Sequence, residues 1–513
     1  MMSPLVLEAR TRWRLCGLLP VGLALIPLAF SLVGVTNGEA SALDPAFAAA
    51  LSTSVTIGIA VGVVSLAIGL PAGVVAGLYT FHGRTALLAL LGLPILLPPF
   101  LWAIGLDMLR ASVGMSSDSH LFAPLAAVAT FAMLGIPLVT FASLLRVASI
   151  TGSQANAARL AGGEHLVMRM AVHVAWPIAA AVATLVVALT MSDPGPGQIL
   201  GLGTAAGEVL TSFSALYDFD LASRQCLVLA VVVVVLAAPS FHVLSNTMSL
   251  PLLARDAVSL HAVRHPRMQR IGPFLFALLV AALLLPPLTG LMLPLLSDAP
   301  FASAAAVVSR TAANTVLYAS GAGILATALG FFMALAVARQ QRLIRAALAL
   351  SLLLLALPPA LGGLGVIRVG AISPAWLDGV LRSRFTVCAV LATRFLPIAF
   401  MLALRAVANL PPDWAGAAAV HGVGFGPYLR HVLLPRIAPD ACLATAIIAL
   451  LATAEVGVVL LLRPPGEDSL PVAIVTVMAN APEALVAALS VAYLDVAVCA
   501  GAALILIARR REA

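Results

Sequence analysis

Residues 51–79, LSTSVTIGIAVGVVSLAIGLPAGVVAGLY, run from end to end without a charged side chain. A helix needs about 20 mostly apolar residues to cross the hydrocarbon core of a bilayer, and this stretch exceeds that. In lipid every backbone N–H and C=O must bond internally, so the stretch reads as a helix rather than an open strand. The same reading extends along the chain. Of its 513 residues, 62% are hydrophobic and only 10% are charged, more apolar surface than a water-soluble fold can hide. Candidate spans fall at approximately 15–36, 51–79, 85–106, 121–145, 174–193, 226–247, 273–296, 312–338, 343–367, 385–404, 437–462 and 484–508. The expected fold class is therefore all-α and integral to the membrane, with twelve transmembrane helices. The first run follows Arg10, Arg12 and Arg14. It is long enough to span and lacks a clear small-residue cleavage site, so it reads as a span rather than a signal peptide.

Charge sets the expected orientation. The net charge is +7, and all 28 basic residues are arginine. With the N-terminus inside, the inner loops hold most of them, including Arg84, Arg146, Arg159, Arg264, Arg342 and Arg430. The outer side holds Arg110, Arg224, Arg310, Arg368, Arg382, Arg384 and Arg463. This bias predicts both termini in the cytoplasm, and it explains the positive charge without a nucleic-acid partner. The absence of lysine excludes a Walker A phosphate loop and Schiff-base chemistry. If ATP drives this protein, another chain binds it. Cys16, Cys226, Cys388, Cys442 and Cys499 stand singly in or beside apolar runs and read as small buried hydrophobes. The nine histidines are scattered, with no ligand spacing for a metal. No nucleophile–base pair stands out, so neither enzyme chemistry nor a cofactor is expected.

The chain also repeats itself at an offset of about 260. Ser54-Val55 matches Thr315-Val316, Leu97-Pro98-Pro99 matches Leu357-Pro358-Pro359, and Pro177 matches Pro435. Met191-Ser192-Asp193-Pro194-Gly195 matches Thr453-Ala454-Glu455-Val456-Gly457. Six spans per half is an even number, which predicts two parallel six-helix repeats. The halves are residues 1–249 and 272–513, joined by a basic cytoplasmic linker at 250–271.

Between two apolar spans of the second half lies Gly416–Pro435, GAAAVHGVGFGPYLRHVLLP. Gly416, Ala417 and Ala418 are followed by Gly422, and the stretch closes on Val432, Leu434 and Pro435. This spacing resembles the cytoplasmic EAA loop of binding-protein-dependent ABC importer permeases (the MetI-like family), with Gly416 where the family usually has glutamate. A looser copy at 156–177 keeps Asn156, Ala157, Ala158 and Gly162, with Pro177 two residues late. The resemblance implies a fused permease. Each loop would form a short coupling helix docked on one of two separate ATPase subunits. An extracytoplasmic solute-binding protein would deliver the substrate, and the chain would lie in a bacterial inner membrane. The bland reading of each stretch is an ordinary interhelical loop with a glycine turn.

Two outer stretches resemble the ferric-iron branch of these permeases in particular: Met191–Gly195 leading into Phe213–Phe219, and Glu455 followed by Leu460–Gly466. The resemblance implies iron as substrate, with thiamine, phosphonate and polyamine as the alternatives. Ionisable groups in spans are functional suspects. Asp193 and Glu455 occupy matching places, where they line a pathway mouth and attract a cation or simply end a helix in solvent. Arg394 and Asp495 fall inside spans and are expected to pair with each other or with polar backbone. Mid-span prolines, among them Pro98, Pro99, Pro286, Pro287, Pro358 and Pro359, predict breaks or kinks. Parallel six-span repeats also describe ion-coupled secondary transporters, which would not require matching alanine–glycine–proline loops.

Overall fold

The computed structural model describes residues 19–22, 25, 29, 43–115, 121–253, 263–337, 340–411 and 413–512. The expected first span, 15–36, lies largely outside them, as does the middle of the expected linker. The described chain is almost entirely helical. Its order begins α1 (Pro45–Leu78), β1 (Tyr79–Thr80), α2 (Arg84–Gly92), a short 3-10 turn at Leu93–Leu96, and α3 (Pro99–Ser112). Next come α4 (Phe122–Val147), α5 (Gly152–Ser192), α6 (Gly195–Ile199), α7 (Ala205–Ser214) and α8 (Phe219–Leu253). After β2 (Val263–Arg264) follow α9 (Pro266–Ser297), α10 (Phe301–Val337), α11 (Gln341–Ala356), α12 (Pro359–Ile372), α13 (Ala375–Leu381) and α14 (Arg384–Ala408). The last are α15 (Asp413–Val420), α16 (Phe425–Tyr428), α17 (Leu434–Thr453), α18 (Gly457–Leu462), α19 (Leu470–Met478) and α20 (Glu483–Glu512). Among the described residues nine helices are long and apolar enough to cross a membrane, or eleven if each of two sharply bent pairs is one span. This is an all-α multi-pass membrane protein.

Both bends sit where the sequence places consecutive prolines. The segments 84–96 and 99–112 meet at 96°, and 341–356 and 359–372 meet at 87°. Pro98 and Pro358 are extended, with ψ of 138° and 130°, while Pro99 and Pro359 each open the next helix. A residue before proline is pushed out of the helical region, and proline at the first helical position loses nothing by lacking an N–H. Pro286 and Pro287, by contrast, sit inside the unbroken α9.

Packing follows the same pattern in both parts of the chain. Helix α1 lies along α4 and α5, and α10 lies along α14 and α17. The Ser54 hydroxyl accepts the N–H of Ala205, the first residue of α7, at 2.9 Å. The Thr315 hydroxyl accepts the N–H of Leu470, the first residue of α19, at 2.8 Å. Other contacts join distant parts of the sequence. Helix α8 packs on α11, α20 reaches the Leu93–Leu96 turn, and Val21 is buried with Phe331, Ile344 and Phe400. A two-residue parallel ladder, Tyr79 beside Val263 and Thr80 beside Arg264, ties the end of α1 to the entry of α9.

One expectation is corrected by the fold. The span expected at 437–462 stops at Thr453, and residues 457–462 form the separate helix α18. The reason is local. The Ala454 and Glu455 N–H groups close the end of α17 with bonds three residues back, at 3.2 Å each, and the Glu455 carboxylate takes the Gly457 N–H at 3.2 Å. A side chain that captures a nearby backbone donor competes with the helix ladder.

Membrane helices associate through close packing of small residues rather than through expulsion of water. The crossing of α3 and α9 is an extreme case. A methyl group built on Gly290 would stand 1.7 Å from the Gly105 carbonyl oxygen, and one on Gly105 would stand 2.3 Å from the Pro287 carbonyl oxygen. Backbone cannot yield as a side-chain tip does. Gly290→Val is therefore expected to destabilise the detergent-solubilised protein by about 3 kcal/mol. A thermal unfolding midpoint unchanged from the parent would contradict this close crossing.

Candidate functional site

Two arrangements bring together the residues singled out in the sequence. The first is a pair of exposed helix–turn–helix elements. In the later copy, α15 carries Gly416, Ala417 and Ala418, and the chain turns at Gly422, whose φ of +66° lies in the left-handed region where only glycine is at ease. Helix α16 then leads through a single π-turn, Leu429–Leu433, into α17 with Leu434 and Pro435 at its start. In that turn the Leu434 N–H bonds to the Leu429 carbonyl. The wider winding fits Pro435, which has no N–H and whose ring would crowd a regular preceding turn. Gly416, Ala417, Gly422, Leu434 and Pro435 are exposed, and Ala418 is partly so.

In the earlier copy, α5 begins at Gly152 behind a capping box, in which the Thr151 hydroxyl and the Gln154 side chain each bond the other's backbone N–H. Asn156 and Ala157 are exposed on its first turns, and Ala158 is half-buried. The helix is interrupted at Gly162 (φ −160°) and Gly163 (φ +67°), then resumes to Ser192 with Pro177 inside it. The turn residue is thus Gly163 rather than Gly162, so Pro177 lags the later copy by one residue instead of two. Arg159 and Glu164 bridge the interruption at 3.1 Å, and Arg159 also donates to the Asn156 side chain at 3.2 Å. Beneath lies a cavity of about 270 Å³ lined by Leu78, Val147, Thr151, Asn156, Arg159 and Val263, among others.

The two turns share a feature that the motif spacing does not mention. Just before each turn a large apolar side chain points outward. Leu160 is 92% exposed and Val420 is 85% exposed. A single exposed apolar residue is ordinary, but here one stands two residues before the left-handed glycine of the later turn and three before that of the earlier.

The second arrangement is buried. Asp193 ends α5 and accepts the Gly195 N–H at 2.9 Å. Glu455 follows α17 and accepts the Gly457 N–H at 3.2 Å. Arg394, in the middle of α14, reaches Glu455 at 2.6 Å, with the two side chains only 15% and 11% exposed. Its other end donates to the Leu357 carbonyl at 3.3 Å, while the Ser192 hydroxyl donates to the Ala356 carbonyl at 2.9 Å. Those carbonyls end α11 and have no partner within their own helix. Arginine suits that place, because the C-terminal end of a helix favours positive charge. Asp193 lies within electrostatic reach of both Glu455 and Arg394.

The network therefore joins the breaks after α5, α11 and α17. Beside it the packing leaves a void of only about 10 Å³, between Ser192, Pro194, Cys226, Pro358, Pro359 and Gly457. That is about the least volume that holds one water.

Of the two expectations for Arg394, the pairing with Asp495 does not form, while the bond to polar backbone does, at the Leu357 carbonyl. Asp495 is exposed on α20 and has no ion pair among the described residues. An intramembrane arginine signals that a carboxylate is needed, but only the turn after α17 brings Glu455 within reach. Further ion pairs join Arg384 to Glu467 at 2.7 Å and Arg463 to Asp468 at 2.5 Å. Hydrogen bonding to the Arg384 guanidinium holds the Glu467 carboxyl below the usual carboxylate range. Among the described residues no group of three or more His, Cys, Asp or Glu side chains converges as metal ligands would.

No family model, curated protein or solved structure matches this chain. The class rests on the helices themselves, which define a multi-pass membrane protein.

Breaking a buried ion pair on one side strands the other charge, whereas replacing both partners by apolar groups of similar volume is often neutral. Arg394→Ala is accordingly expected to cost about 3–5 kcal/mol, and the double change Arg394→Met with Glu455→Met far less. Unfolding in detergent across the mutant cycle measures both, and additive losses would show that the two residues do not act as a pair.

Proposed function

We propose that this chain is the permease subunit of an ATP-driven importer of the MetI-like ABC type, with both membrane halves fused in one polypeptide. The observation that carries this reading is the recurrence of the exposed element. A short helix, an outward apolar residue, a left-handed glycine and a second helix occur at 152–192 and again at 413–453. A soluble motor needs such a handle on each half. The outward residue offers an apolar anchor, and the glycine turn sets the angle between anchor and span. The matched bends at Pro98-Pro99 and Pro358-Pro359, and the matched Ser54 and Thr315 hydrogen bonds, support two related halves. They favour boundaries near 1–249 and 272–513.

In this reading two ATPase subunits dock on the cytoplasmic turns, and nucleotide binding biases the halves between outward and inward access. An extracytoplasmic binding protein hands substrate to the other face of a bacterial inner membrane, with both termini inside. Ferric iron is the proposed cargo, on the resemblance of 191–219 and 455–466; thiamine, phosphonate and polyamine are the alternatives. Asp193 and Glu455 then belong to the closed joint between the halves. Glu455 is neutralised by Arg394, so it serves to hold that joint rather than to attract a free cation.

Co-expression with the candidate ATPase and purification in mild detergent test this. The two are expected to leave the column together. Gly422→Arg, which forces a side chain into a left-handed backbone, and Val420→Asp with Leu160→Asp are each expected to reduce capture at least tenfold. A chain that transports in ATPase-free vesicles under an ion gradient would make it a secondary transporter instead.

A further inference from the structure

The cavity beneath the earlier turn holds about 270 Å³, whereas protein interiors keep few voids larger than one water. A dry cavity of about 150 Å³ admits benzene, so this one has room for a bulky side chain. Its walls are mostly apolar. Leu78 closes α1, Val147 and Ile150 come from the end of α4 and the turn after it, Ala155 from the start of α5, and Val263 from β2. Val263 is 39% exposed and Asn156 is exposed, so the cavity opens to the surface that carries the turn. Leu160, the outward apolar residue of that turn, directly follows Arg159, which lines the cavity.

The rim offers donors. Arg159 spends its Nε on Glu164 and its Nη1 on the Asn156 side-chain oxygen. Its Nη2 and the Asn156 amide nitrogen have no hydrogen bond among the described residues. The surroundings are basic. Glu164 is the one carboxylate within 76–92, 121–192 and 263–297, the segments that build this corner, against seven arginines. Arg264 and Arg267 are exposed just beyond Val263 and have no ion pair among the described residues. A partner that settles here therefore gains from carrying acidic residues.

We propose that this cavity receives a bulky apolar side chain of the ATPase subunit that docks on the first turn, from a segment with acidic residues beside it. The choice of occupant rests on the permease reading, because a subunit that covers Leu160 also covers the mouth of the cavity. A large side chain seated in such a pocket carries much of the energy of an interface, and the free N–H groups at the rim bind a carboxylate next to it. Val263 belongs to the strand that leads into α9. The inserted side chain thus touches both the first turn and the entry to the later part of the chain, so one ATPase subunit bears on both.

Val263→Cys allows the cavity to be plugged after the full chain has folded. The purified variant is alkylated with N-phenylmaleimide and mixed with the candidate ATPase, and the parent chain, treated alike, controls for the native cysteines. The alkylated variant is expected to capture at least tenfold less ATPase than the same variant left unalkylated, while the treated parent captures as much as the untreated. ATPase bound first is expected to slow alkylation of the introduced thiol at least tenfold, a readout that does not depend on how the plug affects the turn. A benzophenone maleimide on the same thiol identifies the occupant by photocrosslinking. The expected product is an ATPase peptide with a large apolar residue next to Asp or Glu. Capture that survives alkylation, a thiol that bound ATPase leaves fully reactive, or a crosslink to a peptide without such a residue overturns the proposal. A parent chain that captures no ATPase overturns it together with the permease reading, so the two failures are distinguishable.

Discussion

The contact between Arg394 and Glu455 ties together the places where this fold leaves regular helix. Lipid offers no hydrogen bonds to open backbone, so a break at membrane depth survives only where protein satisfies the groups it frees. The bend at Pro358-Pro359 ends α11, and its last carbonyls turn to Ser192 and Arg394. Arg394 in turn needs a counter-charge, and Glu455 supplies it while capping α18 through the Gly457 N–H. Loss of any one partner leaves another buried and unsatisfied. Asp193 repeats the capping part of this arrangement beside Gly195 but has no arginine of its own, because the position matching Arg394 is Leu134. The network thus holds one charge pair, between Arg394 and Glu455.

At the exposed turns a different constraint operates. The glycines of both turns face open space, with nothing within 4 Å of a methyl group built on Gly163 or Gly422. Packing therefore does not require glycine there; the left-handed backbone does. The chain places a glycine turn and an outward apolar residue at each of these two points. That is the physical content of reading these turns as docking elements, and it is independent of how well the alanines match a motif.

Much of the architecture was legible in residue order. The run at 51–79, the proline pairs at 98–99 and 358–359, and the match of Ser54 with Thr315 each correspond to a distinct structural feature. Two local errors are instructive. Gly162-Gly163 offers two adjacent glycines, and spacing alone selects the first, whereas the backbone takes its left-handed turn at the second. The apolar run through Leu462 looks continuous, yet Glu455 captures a backbone donor and splits it. In both cases a hydrogen bond or a dihedral preference operates at the scale of one residue, below the resolution of hydropathy.

By itself the sequence determined the class. Backbone satisfaction in lipid leaves long uncharged runs no alternative to helix, and proline pairs bend the chain at 98–99 and 358–359, though not at 286–287. Which charges meet was decided only by the tertiary structure. Arg394 had two carboxylates to choose from, and Asp220 pairs with Arg368 of the distant α12. The outcome depended on how α14 faces α17 and how α12 faces α8, because ion pairs form over a few ångströms while those partners lie far apart in the chain.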